Sequence, residues 1–186
     1  MRIALCGEAR SGKDTVADII EFARFAFGDY MKEKYFEENP HMFGLPKNRE
    51  HMIEWSQPQV ERDNLIWVRP LEEDINSMYN PYHNIVITDL RQPHEETWCR
   101  ENGFHIVRVH ADGVSRMERA RNLGEYLGED LPYWVEADFH IYNDGTLEDL
   151  QKSCKKLLQV LEITDKIKSD TNEANEVYYG SGHPYN

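Results

Sequence analysis

The run Gly7-Glu8-Ala9-Arg10-Ser11-Gly12-Lys13-Asp14-Thr15 carries the strongest chemical signal in the chain. Its GxxxxGK spacing is that of a phosphate-binding loop. Glycines let the backbone curl so that several N–H groups point inward at phosphate oxygens. A helix starting at the end of the loop adds its positive dipole end. Lys13 then reaches the β- and γ-phosphates as a point charge. One position is unusual. Asp14 stands where most such loops carry Ser or Thr as a magnesium ligand, with Thr15 one place later. A carboxylate there repels phosphate unless it is matched, so Asp14 is expected to face the metal or a basic neighbour.

A second constellation is Thr88-Asp89-Leu90-Arg91-Gln92-Pro93-His94-Glu95. Asp89 ends an apolar run, where ligands of open α/β sheets bind. An acid in that place orients magnesium or an acceptor hydroxyl, or else forms a structural pair with Arg91. Arg91 has the planar fork that holds a phosphate bidentately. Glu95 by itself reads as an acid favoured at a helix N-terminus. Arg116, Arg119 and Arg121 lie in a helical segment, with the first two on one face. Such cations suit a lid that closes over a migrating phosphoryl group, or a solvated helix face. Arg49 and Arg62 raise the same alternatives for an acceptor phosphate.

These groups need elements to hold them. Ile3-Ala4-Leu5-Cys6 reads as a buried parallel strand. Val16, Ile19, Ile20, Ala23 and Phe27 make one helical stripe after the loop. Residues 28 to 47 show no clean period. Asn48 caps a helix expected to break at Pro58, and a second pattern (Val60, Trp67, Leu71, Ile75, Met78) continues with a kink expected at Pro70. Residues 84–91 form a strand. Pro93 and Gly103 bracket a helix, and residues 105–109 form another strand. Residues 114–127 are helical, and residues 139–142 form a further strand ended by Asn143-Asp144-Gly145. Thr146 with Asp149 opens a last helix whose stripe is Leu147, Leu150, Cys154, Leu157, Leu158 and Leu161. Strands alternating with helices imply a parallel sheet with right-handed crossovers. Four strands are legible; a fifth is expected before residue 84 without a visible pattern. From Asp165 the chain turns polar, which suggests a mobile tail or one docked through Tyr178, Tyr179 and Tyr185.

With 186 residues and 40% apolar content, the chain can bury a core and is not wholly disordered. Its 21 basic and 34 acidic residues leave a net charge of −13, which disfavours nucleic-acid polymers but permits a local basic pocket for a small anion. Cys6, Cys99 and Cys154 show no pairing motif and read as reduced. No histidine spacing suggests zinc. No run is apolar enough to span a membrane, and MRIALCGEAR meets charge too soon for a signal peptide, so a cytoplasmic protein is expected.

GEARSGKDT, NREHMIEWSQPQVERDNLIWV, ITDLRQPHEETWCRENGFHIVRV and IYNDGTLEDLQKSCKKLL, in that order over most of residues 1–161, together resemble the deoxynucleoside monophosphate kinases of phage and bacterial type. The resemblance implies an α/β, three-layer P-loop kinase fold with a central parallel sheet. Residues 1–163 would form the kinase domain, with a helical acceptor-binding insertion at about 29–80 and an arginine-rich lid at about 112–132, followed by a polar tail over 164–186. It implies ATP and magnesium as cofactors and a nucleoside monophosphate as acceptor. No membrane is implied, and a homodimer is left open. Arg10, Ser11, Gly12, Lys13, Asp14, Thr15 and Arg121 would bind the donor. Arg49, Arg62, Trp67, Asp89, Arg91 and Glu95 would face the acceptor, although a tryptophan in an apolar stripe, taken alone, belongs to the core. Lys13, Asp89, Arg91, Arg116 and Arg119 would carry the transfer, with Asp14 and Asp89 near the metal. Trp55-Ser56 stands where family members commonly carry Gly-Thr. Phosphomevalonate kinases of animal type share the SGKD loop and the acid–arginine strand end, and a P-loop module without turnover is the reading from a different class.

Overall fold

The computed structural model describes residues 1–45, 48–78, 83–125, 127 and 134–179, the last ten as backbone. Its centre is β1 (Arg2–Cys6), whose residues alternate between two apolar layers. Ile3 and Leu5 pack with Val16 and Ile20 of α1 (Lys13–Ile20) and with Leu150, Cys154, Leu157 and Leu161 of α7 (Leu147–Tyr179). Ala4 and Cys6 face the opposite layer. There Phe27 of α2 (Phe27–Glu38), Val60 of α3 (Arg49–Arg62), Leu71 and Ile75 of α4 (Val68–Ser77) and Trp98 of α5 (Pro93–Glu101) close the core. This period-two division builds three layers around one sheet.

All strand pairs are parallel. β1 lies between β3 (Ile85–Ile87) and β4 (His105–His110); β2 (Ala23–Phe25) and β5 (Phe139–Tyr142) form the edges, giving the order β2-β3-β1-β4-β5. The fifth strand is therefore β2. It hides inside the apolar stripe that the sequence extends to Phe27. The helix stops earlier because Glu21 adopts a left-handed conformation (φ 55°) while its N–H closes on the Ala17 carbonyl. Ala23 then pairs with Ile85, and Phe27 opens the next helix. A three-residue edge strand carries too few residues to show a period.

Two proline expectations fail. α3 runs through Pro58, which removes a single N–H while Met52, Ser56 and Val60 stay buried on the same helix. Pro70 makes no kink, because it lies in the first turn of α4, where its N–H has no intrahelical partner to lose. The helix cap at Asn48 is as expected, its side chain accepting from His51 N–H at 3.1 Å. Thr146 and Asp149 form the reciprocal cap that starts α7, although Leu147 points to solvent. The polar change at Asp165 does not end α7, which continues to Tyr179. Asp165 is tied back to the sheet, its Oδ1 2.7 Å from His105 Nε2. Tyr185 lies outside the described residues. The three cysteines are free and buried.

Candidate active site

The loop between β1 and α1 has the shape its glycines predict. Gly7 (φ 134°) lies so close to β4 that a Cβ would sit 2.3 Å from the Val109 carbonyl oxygen. Gly12 (φ 102°) would place a Cβ 2.1 Å from Asn143 Nδ2. Neither clash can be relieved cheaply, because both backbones also lie in a region L-residues rarely adopt. Arg10 takes the left-handed conformation without glycine's freedom (φ 64°). Lys13 is buried, and its ammonium donates to the carbonyls of Gly7 (2.8 Å) and Glu8 (2.9 Å). Asp14 and Thr15 are exposed, with Asp14 on the cleft wall. The buried Ser11 hydroxyl has no hydrogen-bond partner among the described residues.

From this loop a cleft of about 1240 Å³ opens toward α2 and α3. It gathers Arg10, Lys13, Asp14, Arg49, Trp67, Asp89, Arg91 and Glu95 from the sequence-derived set. It also brings in Arg24 and Lys32, which sequence reasoning missed because β2 and α2 carry no legible period. The lining holds six basic residues (Arg10, Lys13, Arg24, Lys32, Arg49, Arg91) against five acidic ones (Asp14, Glu50, Asp89, Glu95, Glu125). A chain of net charge −13 thus keeps a pocket that lacks its overall acidity, which removes the general repulsion of anions there.

Asp89 takes a role the spacing does not reveal. Its Oδ1 accepts from Phe27 N–H (2.9 Å) and its Oδ2 from Gly28 N–H (2.8 Å), so it caps α2 across the sheet. Direct metal ligation by Asp89 would compete with those bonds. Burial raises its pKa above the ordinary carboxylate value, against the opposing pull of the Gly28 N–H and of Arg91. Glu95 is also buried. Its Oε2 accepts from the N–H groups of Arg91 (2.8 Å) and Gln92 (2.9 Å), which fixes the turn that presents Arg91. Burial, reinforced by the charge of Asp89, pushes its pKa up to about 8. The Arg91 guanidinium, half-buried on the cleft wall, has no hydrogen-bond or ion-pair partner among the described residues.

Trp67 is buried in the apolar layer and stacks on Trp55, with ring centroids 6.1 Å apart and planes 29° from parallel. It is a core residue that also lines the cleft, and its buried Nε1–H has no partner among the described residues.

Arg62 and Arg121 are exposed and lie outside the cleft lining, so the structure does not bring them to the site. The expected lid arginines are placed differently as well. α6 (Gly113–Asn122) presents Arg116 and Arg119 on one face to the loop carbonyls rather than over the cleft. Arg119 donates from Nη1 to Arg10 O (3.1 Å) and from Nη2 to Asn143 O (2.8 Å); Arg116 Nη1 is 3.4 Å from Ala9 O. Asn143 completes the clamp, its Nδ2 donating to Ser11 O at 2.9 Å. Nothing in the sequence beyond its place after a strand marks Asn143 for that task. Past the end of α6, Glu125 pairs with Arg10 across the cleft mouth. Part of the expected lid stretch, residues 126 and 128–132, lies outside the described residues.

The donor set fits a magnesium ion carried in on nucleotide phosphates better than one caged by protein. Among the described residues no three His, Cys, Asp or Glu side chains converge on one point, whereas exposed Asp14 stands at the loop. Magnesium keeps much of its water and needs only one or two protein oxygens.

A parallel sheet of this order, with a glycine loop running from its central strand into a helix, defines a P-loop phosphotransferase. Solved structures share the fold at low identity. Shikimate kinase from Bacteroides thetaiotaomicron has a TM-score of 0.54 at 12% identity, over 87% of this chain and 98% of its own. TT1252 from Thermus thermophilus reaches 0.53 at 21% identity, covering 87% and 97%. APS kinase from Mycobacterium tuberculosis, solved with AMPPNP and APS, reaches 0.50 at 12% identity, covering 87% and 98%. No curated protein matches significantly. A family model for deoxynucleotide monophosphate kinase matches residues 59–154, just over half of the sequence. The chain belongs to that family. It is a kinase of nucleotides or small molecules, and its family implies use of ATP. No described helix is long and apolar enough to cross a membrane.

Proposed function

We propose that the protein passes the γ-phosphoryl group of ATP to a deoxynucleoside monophosphate, forming ADP and a deoxynucleoside diphosphate in the cytoplasm. The observation that carries this reading is that one cleft joins the Gly7–Lys13 loop to an Arg91 guanidinium with no hydrogen-bond or ion-pair partner among the described residues. A phosphate donor and an anionic acceptor can therefore face each other in one space. Such a transfer asks the protein mainly for alignment and charge neutralisation.

In this reading the loop N–H groups and Lys13 hold the donor phosphates, and the ammonium exchanges its carbonyl partners for phosphate oxygens. Arg10 follows, leaving Glu125. Arg116, Arg119 and Asn143 act indirectly, keeping the loop carbonyls turned away so that its N–H groups face inward. When bound, magnesium would supply charge neutralisation on the donor oxygens, and Asp14 on the cleft wall would hold its water shell. Arg91 and Arg49 draw the acceptor phosphate, and the exposed edge of Trp67 gives the base an apolar wall. Glu95 sets the direction of Arg91, and Asp89 fixes α2 as the far wall.

The test is an assay of ATP consumption with each deoxynucleoside and ribonucleoside monophosphate, with mevalonate 5-phosphate as control. The expected outcome is ADP formation that depends on a deoxynucleotide acceptor. ATP use with mevalonate 5-phosphate alone, or tight ATP binding without turnover on any acceptor, overturns the reading.

A further inference from the structure

Three basic side chains converge at the acceptor end of the cleft, and two of them belong to no recognisable motif. Arg24 projects from edge strand β2, and Lys32 from the second turn of α2. Both line the cleft with Arg91. Asp29 lies between them. Its Oδ2 accepts from Arg24 Nη1 at 3.0 Å and its Oδ1 from Lys32 Nζ at 2.7 Å. Two cations set side by side repel each other, and a shared carboxylate offsets that repulsion while fixing where both point.

The surrounding backbone ties this pair to Arg91. Asp89 follows β3 and binds the N–H groups of Phe27 and Gly28, the first two residues of α2. Gly28 is pressed so close that a Cβ there would lie 2.8 Å from Asp89 Oδ2. Lys32 and Arg91 both act on the Asp89 carboxylate, each favouring its charged form. The two cations therefore flank one buried acid from different elements. Arg24 keeps guanidinium donors, and Lys32 ammonium protons, beyond the single bond each gives Asp29.

We infer that Arg24 and Lys32, oriented by Asp29, form with Arg91 the site that grips the dianionic phosphate of the acceptor. The inference rests on the kinase reading, in that the acceptor is a monophosphate ester. It adds to Arg91 two residues that lie outside every sequence motif. The sheet order separates this site from the donor loop, since β2 stands two strands from β1, ~10 Å away at ordinary strand spacing. A phosphomonoester carries between about −1.5 and −2 charges near neutral pH, which suits a group of three cations.

The test compares calorimetric Kd values of the full chain for a deoxynucleoside and for its 5′-monophosphate, with a non-hydrolysable ATP analogue present. The ratio of the two reports what the phosphate contributes. Arg24→Gln and Lys32→Gln should each shrink that ratio about three- to tenfold, the range for an exposed charge-assisted contact. Nucleoside and ATP-analogue affinities should hold, and Lys32→Arg should keep most of the ratio. An unchanged ratio in a folded Arg24→Gln/Lys32→Gln protein overturns the inference alone. So does an equal loss of ATP-analogue affinity, which would place the pair on the donor side. Should the double variant fail to fold, Asp29→Asn keeps both cations but releases them. A fall of about two- to threefold in the ratio is expected there, and an unchanged ratio again overturns the inference. A wild-type chain that binds the monophosphate no better than the nucleoside overturns the acceptor reading and this inference together.

Discussion

The two halves of the cleft are built on different principles. On the proposed donor side a run of seven residues, Gly7 to Lys13, would supply nearly the whole grip, and its instructions are local. Two glycines occupy conformations side chains resist, one lysine opens a helix, and one buried strand lies beneath. On the proposed acceptor side no single run would suffice. Arg24, Lys32, Arg49, Trp67 and Arg91 come from β2, α2, the first turn of α3, the residue before α4 and the turn after β3. Asp89 ties two of these segments together, bonding across 61 and 62 residues from the turn after β3 to the start of α2. The contrast has a chemical basis. Triphosphate is the same in every ATP user and can be met by backbone N–H groups, whereas an acceptor must be distinguished by side chains, which tertiary packing alone can bring together.

If the donor half holds the reacting phosphates, Lys13→Met should have the largest effect. Turnover should fall at least ~100-fold, as for loss of a preorganised transition-state contact, while the variant still folds. Near-normal turnover would remove the loop from the chemistry and break the division of labour. Arg91→Ala should come next. The acceptor KM is expected to rise about tenfold or more with little change in the KM for ATP, because the guanidinium serves one half only. Equal changes in both would merge the two halves.

A third effect concerns pH, is read on stability rather than turnover, and falls on the acceptor half alone. Glu95 has a folded-state pKa raised from 4.5 to about 8 by burial. Between those values the folded chain holds a proton that the unfolded chain has released. Its contribution to stability is complete below the unfolded value and is lost as pH rises toward 8. Buried Asp89, also raised, acts in the same direction. Thermal unfolding of wild type should therefore lose stability between pH 5 and pH 8 more steeply than that of Glu95→Gln, by up to about 1.4 kcal/mol per pH unit. Parallel curves would show that Glu95 is ionised in the folded state.

Most misreadings of the sequence fall on the acceptor side for the same physical reasons. β2 is three residues long and lies at an edge, so neither alternation nor an apolar run could mark it. α3 and α4 read as broken helices because proline is a strong local signal. Its cost depends on whether the missing N–H had a partner, and for Pro70 it had none. The lid arginines show the limit of spacing. Arg116 and Arg119 do share a face, but which surface that face meets was decided by the unsatisfied carbonyls of the loop.

By itself the sequence determined what is local and periodic: the phosphate loop, three of the five strands nearly to their ends, the caps at Asn48 and Thr146, and the two-faced core of β1. Each of these is dictated by a residue's own conformational freedom or by the repeat of its nearest neighbours. Tertiary structure alone decided that Asp89 anchors a helix, that Asn143 braces Gly12, and that Arg24 and Lys32 reach the same cleft as Arg91. Those facts depend on which strands adjoin in the sheet, and strand order is set by burial summed over the whole chain rather than by any one segment.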